Sequence, residues 1–568
     1  MSKFLKYLTY FVFDPSRANS HLGPDVMDLK DVDVIVHLRD RIYKKHKILH
    51  DNDISELELY RKPDDLKKRG EGELLDRAMA SITEKAPIDD DEEVSDVFGQ
   101  DLGKGQVHLV VKIRPNSTFR KRPRSPSGDD ESSRLKKILK RAPSSLSSPS
   151  TFKDVAQDVV YINRPFDYHT IPIELLQPQF GQFKDDCAAP STAWAQELLQ
   201  RLTTTACAWY DNETSRRSAI FDALNKSGIY MAPETISNTE LKTDGNWKVV
   251  IMPPAIRECK NDLGSGSALF EAVGYYAQFL NNALVYESRF PCVLMIDLGP
   301  FIGFYGCLWT GKNIHVEPLT PMHDLTVHWT DETSRNAIAS SLDAFKRTIQ
   351  RIEKYYESFP RSPATATVRT FPYPTSYKDE TGHDIDFTYQ SRFDEKLVFV
   401  AVTARSPEEK LCIKFTRRYS EEAHRILANL EHAPRLRRVL LLPGNWFMVV
   451  MDFSQYLRLS DIAGFSNDQK KLVKSKIKDA VHILHNNNIV HGDIREINVL
   501  VDPKTLSIHM IDFDWAGTYQ KVRYPERVNT KSVRRPNGVS GGELITKDHD
   551  MEMVDLLFCV PSFCFSAA

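Results

Sequence analysis

The sequence predicts a multidomain α+β protein, and three observations lead to this fold class. First, a chain of 568 residues is longer than one hydrophobic core usually serves. Second, apolar stretches with strand spacing alternate with stretches of helical spacing along most of the chain. Third, the composition changes abruptly near residue 115, where serine, proline and basic residues replace apolar ones. The predicted divisions are residues 1–115, 116–154, 155–330, 331–364 and 365–568.

The overall composition argues against several classes of protein. A formal net charge of −2 gives no global attraction to nucleic acid or to a membrane surface. The eight cysteines include no C-x-x-C pair, which argues against zinc knuckles and a disulfide framework and predicts a reducing compartment. No apolar run approaches the roughly 20 residues that cross a bilayer, so no membrane span is predicted. The first residues lack a small-residue cleavage site, so no conventional signal peptide is predicted either.

The first division, residues 1–115, is predicted to be a small β-grasp-like module. The stretches FLKYLTYFVF, ISELELY and QVHLVVKI have the composition of strands. The stretch DVDVIVHLRDRIYKK carries apolar residues at helical spacing, which predicts one helix between the strands.

The second division, residues 116–154, is predicted to be a disordered basic linker. It is rich in serine and proline, and it has too few apolar side chains to offset the entropy of ordering by burial. Two basic clusters, at residues 120–124 and 134–141, are typical of nuclear import signals or phosphate-binding patches. The alternative is a linker that only keeps the chain soluble. The stretch SRNAIASSLDAFKRTIQRIEKYYESF predicts a connecting helix in residues 331–364.

The strongest functional signal is the stretch HGDIREIN, which follows a predicted amphipathic helix. Asp493 and Asn498 lie five positions apart in it, and a predicted hairpin then leads to Asp512. A carboxylate such as that of Asp493 can orient a hydroxyl group and accept its proton. Hard oxygen ligands, such as those of Asn498 and Asp512, are what Mg²⁺ requires. The alternative is that all three are ordinary turn residues that close a hairpin.

These residues resemble the catalytic core of protein kinases, in which H-x-D-x-x-x-x-N precedes D-F-G. The stretches KFT-x-x-Y, EAH, HGDI and DFDWAG are similar to the fungal-type protein kinase domain. The resemblance implies a bilobal kinase-like fold that uses ATP and Mg²⁺ to phosphorylate a hydroxyl of a protein substrate, most simply on serine or threonine. It implies that Lys414, paired with Glu422, grips the phosphates, that Asp493 is catalytic, and that Asn498 and Asp512 hold the metal.

Further kinase-like features and several departures accompany this core. WFMVVMDF resembles the strand that leads to the adenine-binding hinge, which implies that Met451 contacts the nucleotide. The resemblance also implies that His491 is a structural prop and Asp550 a buried support of the catalytic loop. However, Asp514 replaces the glycine of D-F-G, and neither G-x-G-x-x-G nor A-P-E is present. The chain also ends soon after Asp550, so the C-lobe is predicted to be truncated. These departures leave open a pseudokinase that acts as a scaffold.

A second candidate site lies in residues 155–330. Glu258 and Lys260 are two apart, so on a strand both side chains point to one face, and Asp244 precedes them by a hairpin's length. This pattern resembles the PD-(D/E)xK nuclease core, which implies a restriction-endonuclease-like α/β domain acting on DNA. It implies that Asp244 and Glu258 chelate Mg²⁺, that Lys260 activates water, and that Glu213 is a further acid. Glu271 stands where some relatives carry the glutamine of Q-x-x-x-Y. The alternative is an exposed strand or an inactive nuclease-like fold.

The N-terminal module resembles the ubiquitin-like domain that begins Crinkler effectors. The resemblance rests on LELYRKP, SDVF and VHLVVKIRP in this order, although the L-x-L-F-L-A-K motif of oomycete members is only partly kept. Crinkler proteins join such a domain to nuclease-like and kinase-like cassettes. The resemblance therefore implies an effector that is secreted, enters a host cell and concentrates in its nucleus.

Three functional hypotheses follow from these patterns. The first is a Crinkler-type effector whose kinase-like domain phosphorylates a protein, with import machinery binding the basic linker. The second is a Mg²⁺-dependent DNA nuclease effector in which the kinase fold is regulatory. The third is a non-enzymatic nuclear scaffold.

Overall fold

The computed structural model describes the backbone of four strands within residues 7–113 and most of residues 135–558. Within the second range the description excludes residues 157–158, 165, 167–168, 238, 250, 263, 265, 285–287, 359–368, 394–395, 463 and 531–532. The chain divides into two compact units, Met1–Ser127 and Gly128–Ala568, and each is described by itself.

The described part of the first unit is a four-stranded mixed sheet. Its strands are β1 (Tyr7–Phe13), β2 (His21–Asp28), β3 (Leu57–Arg61) and β4 (Leu109–Ile113). The sheet order is β2-β1-β4-β3, with β1 antiparallel to β2 and parallel to β4. Strands β1, β3 and β4 overlap the three predicted strand stretches, whereas the predicted helix lies outside the described residues. Parallel strands need a long crossover, and the chain between β1 and β4 supplies that length.

The predicted disordered linker is partly wrong, because its second half is folded. Residues 135–139 are helical, followed by α1 (Pro143–Leu146) and α2 (Pro149–Ala156). Leu146 is fully buried, and the ring of Phe152 stacks on that of Phe270 with centroids 3.9 Å apart. The few apolar residues of this stretch recur at helical spacing, so they can all face one core. Residues 116–134 lie outside the described residues.

A seven-stranded sheet forms the centre of the α/β domain that follows. Its strands are β5 (Val160–Tyr161), β6 (Gly245–Asn246), β7 (Ala255–Lys260), β8 (Cys292–Leu298), β9 (Phe301–Trp309), β10 (Ile314–Pro318) and β11 (His323–Asp324). The order is β5-β10-β9-β8-β7-β6, and β11 also pairs with β9. Strands β7 and β8 are parallel, whereas β6 runs antiparallel to β7. All six residues of β7 are buried, as expected for a strand covered on both faces.

Helices pack on this sheet and on one another. They are α3 (Ile173–Leu176), α4 (Pro178–Ala188), α5 (Ala193–Ala206), α6 (Glu213–Lys226), α7 (Ala268–Ala283) and α8 (Glu332–Glu357). Helix α7 packs on β7 and β8, and α8 packs on α4 and α5.

Helix α8 occupies the predicted connecting segment but is an integral part of the α/β domain. Its Asp343 accepts hydrogen bonds from the backbone N–H (2.6 Å) and the hydroxyl (2.8 Å) of Thr192. Arg347 and Arg351 both pair with Asp186 on α4. The helix therefore belongs to the fold that precedes it rather than to a spacer.

The next part of the second unit is an antiparallel sheet with one short helix. Its strands are β12 (Ser376–Lys378), β13 (Asp384–Arg392), β14 (Val398–Thr403), β15 (Lys410–Thr416), β16 (Leu436–Leu442) and β17 (Trp446–Asp452). The order is β12-β13-β14-β15-β17-β16, and α9 (Glu421–Ala428) lies between β15 and β16 in sequence. Strand β13 alternates exposed and buried residues, so one of its faces covers a core.

The α/β domain contributes directly to this second core. Leu175 on α3 is fully buried among side chains of the antiparallel sheet, including Phe399. The carbonyl of Leu175 accepts from the N–H of Tyr373 (2.8 Å), and Asp185 accepts from the N–H of Gly444 (2.9 Å). The predicted boundary at residue 365 therefore does not separate two independent cores.

The last part is a helical lobe with small sheets. Helix α10 (Asn467–Asn486) begins at a capping box in which Ser466 and Gln469 bond each other's backbone N–H groups. Short strands accompany it: β18 (Leu457–Arg458), β19 (Ile489–Val490), β20 (Val499–Val501), β21 (Ile508–Met510) and β22 (Gly517–Thr518). Helix α11 (Lys547–Leu556) packs against α10. Residues 559–568, with the apolar tail, lie outside the described residues. Across the described chain, no helix combines the length and apolar character of a membrane span.

Candidate active site

Asp493 lies in the turn that links the β19 strand to a short 3₁₀ helix, and its side chain is buried (4% exposed). Asn498, at the end of that helix, donates from Nδ2 to the Asp493 carbonyl (3.0 Å) and to its carboxylate (2.9 Å). The two residues five positions apart are thus hydrogen-bonded to each other, and these bonds close the loop. Because the amide nitrogen is committed to Asp493, the oxygen of Asn498 is its atom suited to a cation.

Two arginines that the sequence analysis missed compensate the buried charge of Asp493. Arg495 approaches both carboxylate oxygens (2.8 and 2.9 Å), and Arg535 Nη1 lies 2.7 Å from Oδ1. Arg495 is only two positions from Asp493, so its closeness in sequence was an available signal, whereas Arg535 is brought in by the fold from a distant stretch. A buried carboxylate without such partners would carry a large desolvation penalty.

The loop is anchored from below by Asp550, which is fully buried. Its two oxygens accept from the backbone N–H groups of His491 and Gly492, both at 2.8 Å, and one also contacts His485 Nε2 (3.1 Å). Gly492 has φ +80°, and a Cβ there would lie 2.7 Å from Ile545 Cδ1. The positive φ therefore favours glycine here, and an added Cβ would also force the Ile545 side chain to shift.

His491 is fully buried, and its contacts are structural. Its Nδ1 accepts from the N–H of Asp493 (3.3 Å), and its ring contacts that of Phe513. Burial lowers the pKa of His491 and outweighs the nearby carboxylates of Asp550 and Asp493, so the ring is neutral at physiological pH. A neutral ring can accept this hydrogen bond, whereas a protonated one could not.

Asp512 is delivered by the β20–β21 hairpin. Ile511, next to it, donates its N–H to the Asn498 carbonyl (3.0 Å), which ties the two predicted metal ligands to one local structure. Asp512 has φ +72°, an uncommon conformation that a residue adopts where its surroundings impose it. Its carboxylate lies 2.5 Å from Lys414 Nζ. Burial alone would raise the pKa of Asp512, but the charge of Lys414 outweighs it and the pKa is lowered.

Lys414 also contacts Asp514, with Nζ 2.6 Å from Oδ1. Burial and the charge of Asp512 raise the pKa of Asp514 to about 6, although Lys414 opposes them. Between them these two carboxylates raise the pKa of Lys414 despite its burial, so the lysine is charged.

The predicted ion pair between Lys414 and Glu422 is not formed in this structure. Glu422 is exposed, because α9 is a short helix that turns Ala423, His424 and Leu427 inward and Glu422 outward. Acidic residues in the first turn of a helix interact favourably with its positive end, which is a sufficient structural reason for Glu422.

Phe513 connects α9 to the catalytic loop. It is fully buried, and its ring stacks on His424 with centroids 4.8 Å apart. Its carbonyl accepts from the N–H of Ser420, the residue that caps α9 (3.1 Å). Met451, predicted to contact the nucleotide, is buried on β17 in a small cluster with Leu436 and Val449.

Residues 406–553 match the family model of the protein kinase domain. This stretch is a protein kinase domain. Serine/threonine-protein kinase pim-2 of Danio rerio is 28% identical over 105 residues, which are 17% of this chain and 33% of that protein. The chain thus spans about a third of the length of this relative. A mixed α/β fold with a kinase domain at its C-terminal end agrees with the predicted fold class.

Two solved structures are also similar to parts of the chain. The Cydia pomonella granulovirus kinase PK-1 shows 20% identity and a TM-score of 0.21, covering 24% of this chain and 53% of that one. Vaccinia related kinase 3 shows 15% identity and a TM-score of 0.26, covering 33% of this chain and 68% of that one. The family match, and not these two overlaps, carries the assignment of the kinase domain.

The predicted residues of the second site also lie together, outside the kinase domain. Glu258 and Lys260 on β7 are 3.0 Å apart, and Lys260 Nζ also lies 3.7 Å from Glu213 on α6. Asp244, just before β6, accepts from the N–H of Cys259 (3.1 Å) and pairs with Arg217. The spacing of two on a strand thus brings the glutamate and the lysine to one face, as predicted.

Three acidic side chains surround the lysine of this second cluster. Glu271 on α7 lies 2.9 Å from Lys260 Nζ. Burial, with added repulsion from Asp244 and Glu271, raises the pKa of Glu258 well above its ordinary value. Burial would lower the pKa of Lys260, but Glu258 and Glu271 outweigh it and raise it. Within the described residues, no group of three or more His, Cys, Asp or Glu side chains is arranged to hold a metal ion.

Proposed function

We propose that the kinase domain transfers the γ-phosphoryl group of ATP to a hydroxyl of a protein substrate. The observation that carries the proposal is the direct contact of Lys414 with Asp512, beside a loop in which Asn498 binds Asp493. Ile511, next to Asp512, donates its N–H to the Asn498 carbonyl, so the hairpin that carries Asp512 is hydrogen-bonded to that loop. The name of the pim-2 relative supports serine or threonine as the acceptor.

Each residue has a definable task in this reaction. Asp493 would orient the acceptor hydroxyl and take its proton, while Arg495 and Arg535 hold the carboxylate in place. Asn498 and Asp512 offer the hard oxygen atoms that fit Mg²⁺. When bound, Mg²⁺ would neutralise charge on the phosphates. Lys414 would contribute a fixed positive charge at the same place.

Labelling with γ-radiolabelled ATP and a generic protein substrate tests this proposal. Wild-type chain should transfer label in Mg²⁺, and Asp493→Ala should lose transfer by about 10³-fold or more, since the residue that positions the acceptor is removed. Asp468→Ala is the matched control, because this aspartate is almost fully exposed (96%) at the start of α10. Equal labelling by wild type and Asp493→Ala would overturn the proposal.

A second candidate function, a Mg²⁺-dependent DNA nuclease, is supported by the second cluster. Its specific support is the contact of Lys260 with Glu258 on one strand, with Asp244 and Glu213 beside them. We propose that Asp244 and Glu258 would hold the metal and that Lys260 would position water. Plasmid nicking should be lost in Lys260→Ala and kept in Lys312→Ala, an exposed lysine of the same domain. Intact plasmid with wild-type chain in Mg²⁺ and Mn²⁺ would count against it.

We also propose that the chain is a Crinkler-type effector that is secreted and acts in the nucleus of a host cell. The resemblance of the N-terminal module supports this, as does a mixed sheet in which β1 and β4 are parallel neighbours. The basic cluster at residues 120–124 would bind import machinery. A fluorescent fusion should concentrate in nuclei and lose that localisation when these basic residues become alanine. Full host-cell activity of an Asp493→Ala/Lys260→Ala variant would favour the non-enzymatic scaffold instead.

A further inference from the structure

The acidic partner of Lys414 in the kinase domain differs from the one in the family pattern. In the family pattern the partner of this lysine is a glutamate of the helix that follows the lysine strand, and the residue two after the metal-binding aspartate is glycine. Here the corresponding glutamate, Glu422, is exposed, and Asp514 stands in the place of that glycine. The charge that the helix fails to supply is therefore supplied from the D-F-D stretch.

The contacts of Asp514 are specific. One carboxylate oxygen lies 2.6 Å from Lys414 Nζ, and the other lies 3.0 Å from the hydroxyl of Thr416. Lys414 and Thr416 are two apart on β15, so both side chains point to the same face of the sheet. Asp512 and Asp514 flank the buried Phe513, and both carboxylates contact Lys414.

Two carboxylates at one lysine allow a division of roles. Asp512 is suited to Mg²⁺, and once it binds a cation it contributes less to holding Lys414. A lysine with a largely buried side chain needs another partner at that stage, because an unpaired ammonium group in such a place is costly. Among the described residues, Asp514 is the remaining acid in contact with Lys414.

We propose that Asp514 is the positioning residue of Lys414, in the role that the helix glutamate has in the family pattern. This inference rests on the proposed kinase function and names the residue that makes its lysine usable. Asp514 holds the ammonium group in line with the phosphates, while Asp512 is released to the metal. Thr416 fixes the orientation of Asp514.

Titration of a fluorescent ATP analogue with Mg²⁺ against the full-length chain tests the inference without relying on catalysis. Asp514→Asn should weaken binding roughly 10- to 100-fold, because a charged partner of a largely buried lysine is lost. Asp514→Glu should recover part of the loss, and Thr416→Val should weaken binding by about threefold through the loss of its one hydrogen bond to Asp514. Glu408→Gln, an exposed glutamate of the same lobe, should bind like wild type.

Steady-state kinetics separates positioning from general damage. In Asp514→Asn the KM for ATP should rise, while the KM for the protein substrate stays within about twofold, since Asp514 acts through its contacts with Lys414 and Thr416. Glu422→Gln decides between the two acids. If it weakens nucleotide binding while Asp514→Asn does not, Glu422 is the partner and the inference is wrong.

The outcomes also distinguish this inference from the function on which it rests. A wild-type chain that binds no nucleotide in Mg²⁺ overturns the proposed kinase function itself. A wild-type chain that binds, with Asp514→Asn and Thr416→Val binding equally well, overturns only the role of Asp514. If Asp514→Asn fails to fold, Thr416→Val and Asp514→Glu decide the matter, and unchanged affinity in both would refute the inference.

Discussion

Replacing Asp550 by asparagine should loosen the catalytic loop without touching a substrate-binding group. Asp550 is fully buried, and its two oxygens accept the N–H groups of His491 and Gly492 at 2.8 Å. Asparagine has the same shape but only one oxygen. Its amide nitrogen would face one of these N–H groups, so one hydrogen bond is lost and one buried donor is left without an acceptor.

The size of the effect follows from these contacts. A hydrogen bond to a charged group contributes about 1.5–3 kcal/mol, and a buried donor without an acceptor costs about 1–3 kcal/mol more. The loop should therefore be destabilised by about 3–5 kcal/mol. Because Asp493 directly follows Gly492, a shift of about 1 Å in the loop would lower the transfer rate by about 10²-fold.

Hydrogen exchange followed by mass spectrometry measures this loop in the full-length chain. The peptide that contains residues 489–500 should exchange at least about 100-fold faster in Asp550→Asn, since about 1.4 kcal/mol corresponds to a factor of ten. Asp555→Asn is the matched control on the same helix, because this side chain is 57% exposed and its pairs with lysines are at the surface. If this peptide exchanged at the wild-type rate in Asp550→Asn, the role of Asp550 as the anchor of the loop would be refuted.

Three further predictions concern stability. Burial lowers the pKa of His424 to about 4, so the unfolded chain takes up its proton first as the pH falls. The free energy of unfolding of the kinase domain, measured by thermal unfolding, should therefore fall by about 2 kcal/mol between pH 7 and pH 5. In His424→Gln this fall should be smaller. If its free energy of unfolding depended on pH as in the wild type, the assignment to His424 would be contradicted. Phe152→Ala should lower the free energy of unfolding by about 3–5 kcal/mol because the Phe152 ring is packed in the core. Ser150→Ala, at an exposed position, should unfold like wild type. A Phe152→Ala variant as stable as wild type would show that α2 is not anchored to the core. Gly492→Ala should lower stability by about 1–2 kcal/mol from its left-handed backbone alone and also abolish transfer, and an active variant would mean that the loop adopts another conformation.

The catalytic loop could be predicted because its chemistry is local in sequence. Asp493 and Asn498 contact each other across a single turn, and a short hairpin brings Asp512 to them. Spacing alone carries such information. The pair Glu258 and Lys260 was predictable for the same reason, since two residues on one strand share a face.

The partners of these residues could not be predicted in the same way. Arg535 reaches Asp493 from a distant stretch, and the choice of Asp514 over Glu422 by Lys414 depends on how α9 is turned. The linker prediction was wrong for residues 135–154 for a related reason. Low average hydrophobicity indicated disorder, but a few apolar side chains at the right spacing suffice when a neighbouring core accepts them, as Phe152 shows.

The insertion of Leu175 into the kinase core has a consequence for how such chains can recombine. Ile171 packs against the cores of both domains, and Arg417 pairs with Glu174 and lies over the Trp446 ring. A kinase domain cut at residue 365 would lack Leu175 and would leave the apolar side chains around it uncovered. A fusion that keeps this core intact would have to include α3 together with the antiparallel sheet.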